Sequence, residues 1–175
     1  REKLNQSEVE NLSKAMEDIV GDKRILVPVK NPDNLYHLEE VWKNVNDEDT
    51  EIIVLYAKPL DAWSVGKTRQ SNNVDEQELF TKVILIAEKY GLTVHPLLVK
   101  CNDYSYAVAQ VALAAKVKEI IMGVSGSYGA NDQIERLVMA WGAVQQSRNL
   151  EQKERKKISV TAKIVWEGRE VSYKF

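Results

Sequence analysis

The feature that most constrains this chain is a repeated alternation of short apolar runs with segments of helical periodicity. Two of the runs, residues 24–29 (RILVPV) and 51–56 (EIIVLY), are almost continuously apolar and show no polar alternation. That composition is typical of strands that are buried on both faces. Strands that alternate with helices predict a parallel sheet with helices packed on both sides.

Two further runs complete the predicted parallel sheet. Residues 93–99 form a third strand, in which Pro96 cannot donate a ladder hydrogen bond and therefore favours a place at the sheet edge. A fourth strand, residues 120–122, leads into a glycine-rich turn. The predicted fold class is α/β, a flavodoxin-like or Rossmann-like three-layer sandwich with parallel strand order 3-2-1-4-5.

Segments with a helical spacing of apolar residues separate these strands. We expect helices over residues 5–20, 35–45, 75–90, 103–115 and 131–147. Asp33 or Asn34 is predicted to cap the second helix and Asp103 the fourth, while Gly91 is predicted to end the third. A long polar loop, about residues 59–73, follows the second strand, and a charged run occupies residues 151–157.

The C-terminal residues predict an antiparallel hairpin added to the sheet. Residues 159–166 alternate apolar and polar side chains, Glu167 and Gly168 suit a turn, and residues 169–175 alternate again. This returning strand would occupy the free edge of the fifth strand. We therefore expect that the domain does not dimerise by pairing that edge with its counterpart in another subunit.

Composition excludes several classes of function. The 175 residues suffice for one domain of ordinary size, and a net charge of −2 with mixed acids and bases gives no electrostatic footprint for nucleic acid. Cys101 is the only cysteine, so no internal disulfide is possible. The two histidines, His37 and His95, are too few and too isolated to predict a metal site.

The glycine-rich turn is the strongest candidate for a binding site. Three glycines and two serines lie within residues 123–129, between a buried strand and a helix. Glycines let backbone N–H groups approach an anion, and a helix N-terminus favours negative charge; an ordinary turn stabilised by its serines is the alternative. In the predicted sheet this turn faces the end of the first strand. The candidate residues are Val29, Lys30, Asn31, Gly123, Ser125, Gly126 and Ser127, with Tyr56 and Val99 at the ends of the second and third strands.

Several segments resemble the universal stress protein family. The similar segments are residues 24–29, the long loop after the second strand, and residues 112–123 (ALAAKVKEIIMG), within a span of about 23–145. More narrowly, residues 27–39 (VPVKNPDNLYHLE) and 164–173 (IVWEGREVSY) look like the cytoplasmic C-terminal domains of amino-acid permease-type transporters. The resemblance implies a leader or linker over 1–22, downstream of a membrane region, and a stress-protein-like domain over 23–175 on the cytoplasmic side of the cell membrane.

The ATP-binding branch of that family has the pattern Gly-x2-Gly-x9-Gly-Ser/Thr, which this chain matches only in part. Gly123 and Gly126 fit its first half, but the third glycine falls at Arg136. Lys30 stands where that branch has an acidic residue that holds the ribose. Asp132 and Glu135 also place negative charge at the helix start. We therefore expect ATP or another adenine nucleotide to bind weakly or not at all.

Two functions follow from the resemblance. The first is a regulatory or assembly domain of a transporter, which senses a nucleotide or another small anion, has the transporter's membrane domain as its partner and could form a homodimer. The second is a stand-alone universal stress protein that binds ATP. The chain shows no serine–histidine–aspartate set and no metal-ligand spacing, so we expect no enzyme and no metal.

Overall fold

A computed structural model describes residues 14, 16, 17, 19–45, 49–60, 76–148 and 158–175. The strands are β1 (Lys23–Val29), β2 (Thr50–Pro59), β3 (Val94–Cys101), β4 (Glu119–Gly123), β5 (Thr161–Trp166) and β6 (Arg169–Lys174). The helices are α1 (Tyr36–Asn44), α2 (Glu76–Lys89), α3 (Tyr104–Ala115) and α4 (Ala130–Ser147). The first part of the expected leader helix, most of the long loop after β2 and the charged run at 151–157 lie outside the described residues.

The described strands form one six-stranded sheet in the order β3-β2-β1-β4-β5-β6. The first five are parallel, and β6 runs antiparallel to β5. The predicted strand order and the added hairpin are both confirmed. Pro96 lies in β3 at the edge of the sheet, where a missing ladder hydrogen bond is tolerated.

The helices cover the sheet in two layers, and successive residues of β1 point into opposite layers. Leu26 belongs to the core under α3 and α4, while Val27 belongs to the core under α1 and α2, and neither residue is exposed. This two-sided burial explains why β1 shows no polar alternation.

The start of α1 differs from the sequence prediction. Neither Asp33 nor Asn34 caps it: Leu35 occupies the N-cap position, without a side-chain hydrogen bond. Asn31 instead organises the preceding loop, because its Oδ1 accepts a hydrogen bond from the Asp33 N–H (2.8 Å) and its carbonyl accepts one from the Asn34 N–H (3.0 Å). The polar cluster therefore builds an Asx-type turn, and the helix begins after it. The predicted roles of Asp103 and Gly91 are confirmed, since Asp103 accepts from the Tyr106 N–H at 3.0 Å and Gly91 has φ 66°.

Arg24 ties the segment before β1 to the C-terminal end of α3. Its guanidinium donates to the carbonyl oxygens of Gly21 (2.9 Å), Ile19 (2.9 Å) and Ala115 (3.0 Å). Ile19 is itself buried in the core under α3 and α4. The residues just before β1 therefore pack as part of the domain.

We expect the Arg24→Ala variant to lose about 2–3 kcal/mol of unfolding free energy, because three part-buried carbonyl groups lose a charged donor. Urea denaturation followed by circular dichroism measures this loss. Arg169→Ala, at the exposed sheet edge, is the matched control and should change stability by less than about 0.5 kcal/mol. Equal stability of the two variants would contradict the role given to Arg24.

The edge position of β6 predicts how the domain associates. All six residues of β5 are paired with β6, so that edge of β5 is occupied. Deleting residues 169–175 would uncover the edge, and we expect the truncated domain to self-associate because unpaired strand edges template pairing. Light scattering after size-exclusion chromatography compares the truncated and intact chains. A Tyr173→Ser variant, which keeps β6 but removes its most exposed aromatic ring, should behave as the intact chain. Cross-linking of β5 directly to β5 of a second intact chain would overturn the prediction.

Candidate functional site

The candidate site lies where β1 and β4 separate. The two strands are paired only at Ile25 with Glu119 and at Leu26 with Ile120. Beyond these pairs β1 continues to Val29 and β4 to Gly123, without a ladder between them. Crevices at the carboxyl ends of parallel strands, where the strand order reverses, are the usual ligand sites of such sheets.

A cavity of about 300 Å³ opens at this point. Its wall is formed by the β1–α1 loop (Lys30, Asn31 and Asn34), His37 of α1, Tyr104 of α3, Gln133 of α4 and the turn at residues 123–127. A larger cavity of about 400 Å³ lies near the amino ends of β1, β2 and β4, and Lys23, Glu40 and Lys163 are among its lining residues. We place the candidate site in the smaller cavity because it lies at the carboxyl ends of the strands.

The structure brings together six of the nine residues predicted from the sequence. Lys30, Asn31, Gly123, Ser125, Gly126 and Ser127 all line the cavity at the switch point. The other three residues are buried in the protein core: Val29 and Tyr56 under α1 and α2, and Val99 under α3 and α4. None of the three lines this cavity, and the ligand roles of all nine residues stay predictions.

His37 is a site residue that the sequence analysis missed. Its side chain is only 4% exposed, and its Nε2 lies 2.8 Å from the Pro28 carbonyl oxygen. Because a carbonyl can only accept, Nε2 carries the proton and Nδ1 presents a lone pair. That Nδ1 is buried without a hydrogen-bond partner among the described residues. Burial lowers the pKa of His37, and the hydrogen bond to Pro28 acts in the opposite direction.

Gly123 makes room for the His37 ring. A Cβ atom built on Gly123 would lie 3.0 Å from His37 Nδ1, with the other nearest ring atoms at 3.5 Å. Gly126 and Gly129, by contrast, would place a Cβ in open space. Close packing against the imidazole therefore explains the first glycine of the turn without any bound phosphate.

Backbone groups of the glycine-rich turn are hydrogen-bonded to side chains of the protein itself. Gln133 of α4 accepts from the Ser125 N–H (2.6 Å) and donates through Nε2 to the Gly123 carbonyl (3.1 Å). The Ser125 hydroxyl accepts from the N–H groups of Ser127 (2.9 Å) and Tyr128 (3.3 Å). Three backbone N–H groups that an anion cradle would offer are thus already bonded. The sequence analysis offered two interpretations of this turn, an anion cradle and an ordinary turn stabilised by its serines. The observed hydrogen bonds of Ser125 are those of the second.

Lys30 and Tyr104 form the opposite wall of the cavity. The Lys30 ammonium lies 4.1 Å from the centre of the Tyr104 ring, which is within cation–π distance. Burial lowers the pKa of Lys30, while nearby Cys101 raises it. Burial, followed by the proximity of Cys101, raises the pKa of the Tyr104 hydroxyl. Lys30 therefore lies at the cavity with its ammonium group over the face of the Tyr104 ring.

Within the described ranges no cluster of histidine, cysteine, aspartate and glutamate has the geometry to hold a metal ion. No helix among those ranges is long and apolar enough to cross a membrane.

Comparisons with known proteins find similar structures only. No protein-family model matches the chain, and no curated protein matches it significantly. A universal stress protein from Archaeoglobus fulgidus has a TM-score of 0.48 at 15% identity, covering 68% of this chain and 87% of the other. A protein of the universal stress protein family from Burkholderia pseudomallei has a TM-score of 0.48 at 15% identity, covering 67% and 88%. A hypothetical protein solved as a structural-genomics test case has a TM-score of 0.47 at 21% identity, covering 69% and 90%. Likeness at this level assigns no site and no activity.

The contact between Gly123 and His37 gives a testable prediction. We expect the Gly123→Ala variant to lose about 1–3 kcal/mol of stability, the usual cost of overpacking a close contact. The stability loss should be smaller in a His37→Ala background, because the imidazole ring that the new methyl group would contact is then absent. A double-mutant cycle of urea denaturation curves measures the difference between the losses in the two backgrounds. Gly126→Ala, in the same turn with open space around it, is the control. An unchanged loss in the His37→Ala background would contradict this packing.

The lowered pKa of His37 predicts how stability depends on pH. The unfolded chain, with an ordinary pKa of about 6.5, binds the proton more readily than the folded chain. The contribution of neutral His37 is therefore complete above about pH 6.5 and is lost as the pH falls toward the folded-state pKa. We expect the free energy of unfolding to fall more steeply between about pH 7 and about pH 5 with His37 than with His37→Gln. The comparison is made in a His95→Gln background, so that the second histidine contributes to neither profile. Parallel profiles would show that His37 does not titrate differently on folding.

Proposed function

We propose that this chain is a non-enzymatic, small-molecule-binding domain of the universal stress protein type that regulates a partner, and that ATP is not its preferred ligand. The proposed ligand occupies the cavity between the ends of β1 and β4. A volume of about 300 Å³ lies at the lower end of the range for small-molecule sites.

The observation that carries the proposal is the internal bonding of the glycine-rich turn. The N–H groups of Ser125, Ser127 and Tyr128 already donate to Gln133 and to the Ser125 hydroxyl. A triphosphate would have to break these bonds before it gained its own, which costs much of what it could gain. Asp132 in the first turn of α4 adds to this cost, whereas Glu135, which the sequence analysis placed at the helix start, lies beyond that turn.

A non-enzymatic role is supported by the chemistry of the cavity. The Ser125 hydroxyl accepts two backbone hydrogen bonds, and the His37 ring is held by a backbone carbonyl rather than by a carboxylate. A serine nucleophile needs a nearby base that is oriented by a third group. Among the described residues of the cavity no such set is assembled.

The proposed partner is the membrane domain of a transporter. A cytoplasmic domain of an amino-acid permease-type transporter is favoured only by the sequence resemblance, while two of the similar structures reported above are universal stress proteins. A stand-alone universal stress protein is therefore the second candidate, with at least equal support. The reading frame upstream of Arg1 discriminates between them: a series of apolar membrane spans supports the first, and a start codon next to Arg1 supports the second.

Isothermal titration with Mg-ATP tests the ligand preference. We expect a dissociation constant weaker than ~10 μM, which corresponds to about −7 kcal/mol. Mass spectrometry of small molecules released from the purified domain should in parallel identify a ligand other than ATP. Binding of ATP tighter than this limit, or ATP as the only molecule released, would overturn the proposal in favour of the ATP-binding alternative.

A further inference from the structure

A second, smaller cavity adjoins the candidate site. It has a volume of about 40 Å³, and Lys30, Tyr104, Ser125 and Gln133 line both cavities. Its remaining wall includes Arg136 of α4 and Tyr128 of the glycine-rich turn. A volume of this size holds a few water molecules or one small head group, but neither a base nor a triphosphate.

Two cations line this small cavity, and each lies over an aromatic ring. The Lys30 ammonium lies 4.1 Å from the centre of the Tyr104 ring, and the Arg136 guanidinium carbon lies 3.9 Å from that of Tyr128. Such contacts orient a cation without neutralising it, because the ring has no net charge. The tyrosines thus position the two positive groups beside the cavity and leave their charge uncompensated.

Neither cation has a carboxylate partner in the described part of the chain. Other lysines there, such as Lys58, Lys82 and Lys163, do form ion pairs with carboxylates. Asp132 precedes Arg136 by four residues, a spacing that often gives an ion pair on a helix, yet the guanidinium contacts Tyr128 instead. The positive charges of Lys30 and Arg136 beside one cavity repel each other, and an anion placed between them would offset this repulsion.

We propose that the ligand of this domain carries a small anionic head group, a carboxylate or a monophosphate. The head group binds between Lys30 and Arg136, which together form an anion seat, while the rest of the ligand occupies the larger cavity. This inference rests on the proposed function and narrows it to one class of ligand. The donors suit the task, because a guanidinium offers a planar fork of N–H groups to two oxygens and an ammonium offers three further donors.

The fold brings the charges of Lys30 and Arg136 to the same cavity. Negative charge on a ligand would therefore be bound by two side chains rather than by backbone groups of the glycine-rich turn.

Titration of the isotope-labelled domain with sodium acetate and, separately, with inorganic phosphate tests the proposal by NMR, with sodium chloride matching the ionic strength. We expect saturable shifts of the Arg136 side-chain N–H and of the backbone amides of Ser125 and Gln133 with at least one probe. Saturation by acetate indicates a carboxylate head group, and saturation by phosphate alone indicates a monophosphate. Each of Lys30→Gln and Arg136→Gln should weaken binding at least about fivefold, equivalent to about 1 kcal/mol. Arg136→Lys keeps the charge but loses the planar fork, so it should weaken binding less than Arg136→Gln does.

The matched control is Arg148→Gln, which removes the same residue type about 18 Å further along the helix direction, at 1.5 Å per residue. It should leave binding unchanged. Lys30 and Arg136 are both exposed, so their substitution should not unfold the domain, and the dispersion of the amide spectrum verifies this. The proposal would be overturned if neither acetate nor phosphate gave saturable shifts. It would also be overturned if the wild type and the two glutamine variants bound the probe with equal affinity.

The same variants separate this inference from the proposed function. A released metabolite that binds wild type, Lys30→Gln and Arg136→Gln equally, while shifting the amides of Asn31 and His37, would refute the anion seat and leave the proposed function standing. Saturable acetate or phosphate binding that depends on Lys30 and Arg136, without any metabolite in the larger cavity, would support the seat and refute the proposed function.

Discussion

The short pairing between β1 and β4 is the constraint on which the site depends. These neighbouring strands share a ladder at only two positions and then separate, so their carboxyl ends leave a gap in the middle of the sheet. His37 occupies part of this gap, bonded to the Pro28 carbonyl on one side and in contact with Gly123 on the other. Pro28 fits this position because it has no N–H group that a continued ladder would require. The rest of the gap is the candidate cavity.

The glycine-rich turn has the composition of an anion cradle, but its hydrogen bonds are those of a structural turn. Gln133 and Ser125 use the N–H groups that a phosphate would need. Since each hydrogen bond broken must be replaced by one of similar strength, a turn whose N–H groups are already bonded gains little from an anion. Positive charge for a ligand is instead available from Lys30 and Arg136, which no described carboxylate neutralises. Side chains therefore give this site its electrostatic character, and the turn gives it its shape.

How much of the fold and of the candidate site the sequence could predict depends on whether the interactions are local or join residues that are distant in the chain. Strand order followed from apolar runs and from Pro96, because burial on both faces acts on every residue of a strand. His37 could have been found by spacing, since Val41 follows it at an interval of four on the buried side of α1, which Leu38 and Trp42 share. The predicted cap of α1 was wrong because Asn31 accepts hydrogen bonds from the N–H groups of Asp33 and Asn34, which holds both residues in a turn before the helix. The role of Gln133 could not be predicted, because a polar residue near a helix start is common. Only the fold shows that its side chain bonds to the glycine-rich turn.

The proposed regulatory role requires a structural connection from the cavity to the surface, and the contacts of α1 supply a candidate for it. The helix begins at Tyr36, whose hydroxyl accepts a hydrogen bond from the Gly168 N–H at 3.4 Å, and the next residue is His37. The first turn of α1 thus contacts both the cavity and the β5–β6 turn. A ligand that displaced His37 would act on Tyr36 directly, since the two residues are adjacent in one rigid turn. The β5–β6 turn joins the edge strand β6 to the rest of the sheet, so α1 links the candidate cavity to one edge of the sheet.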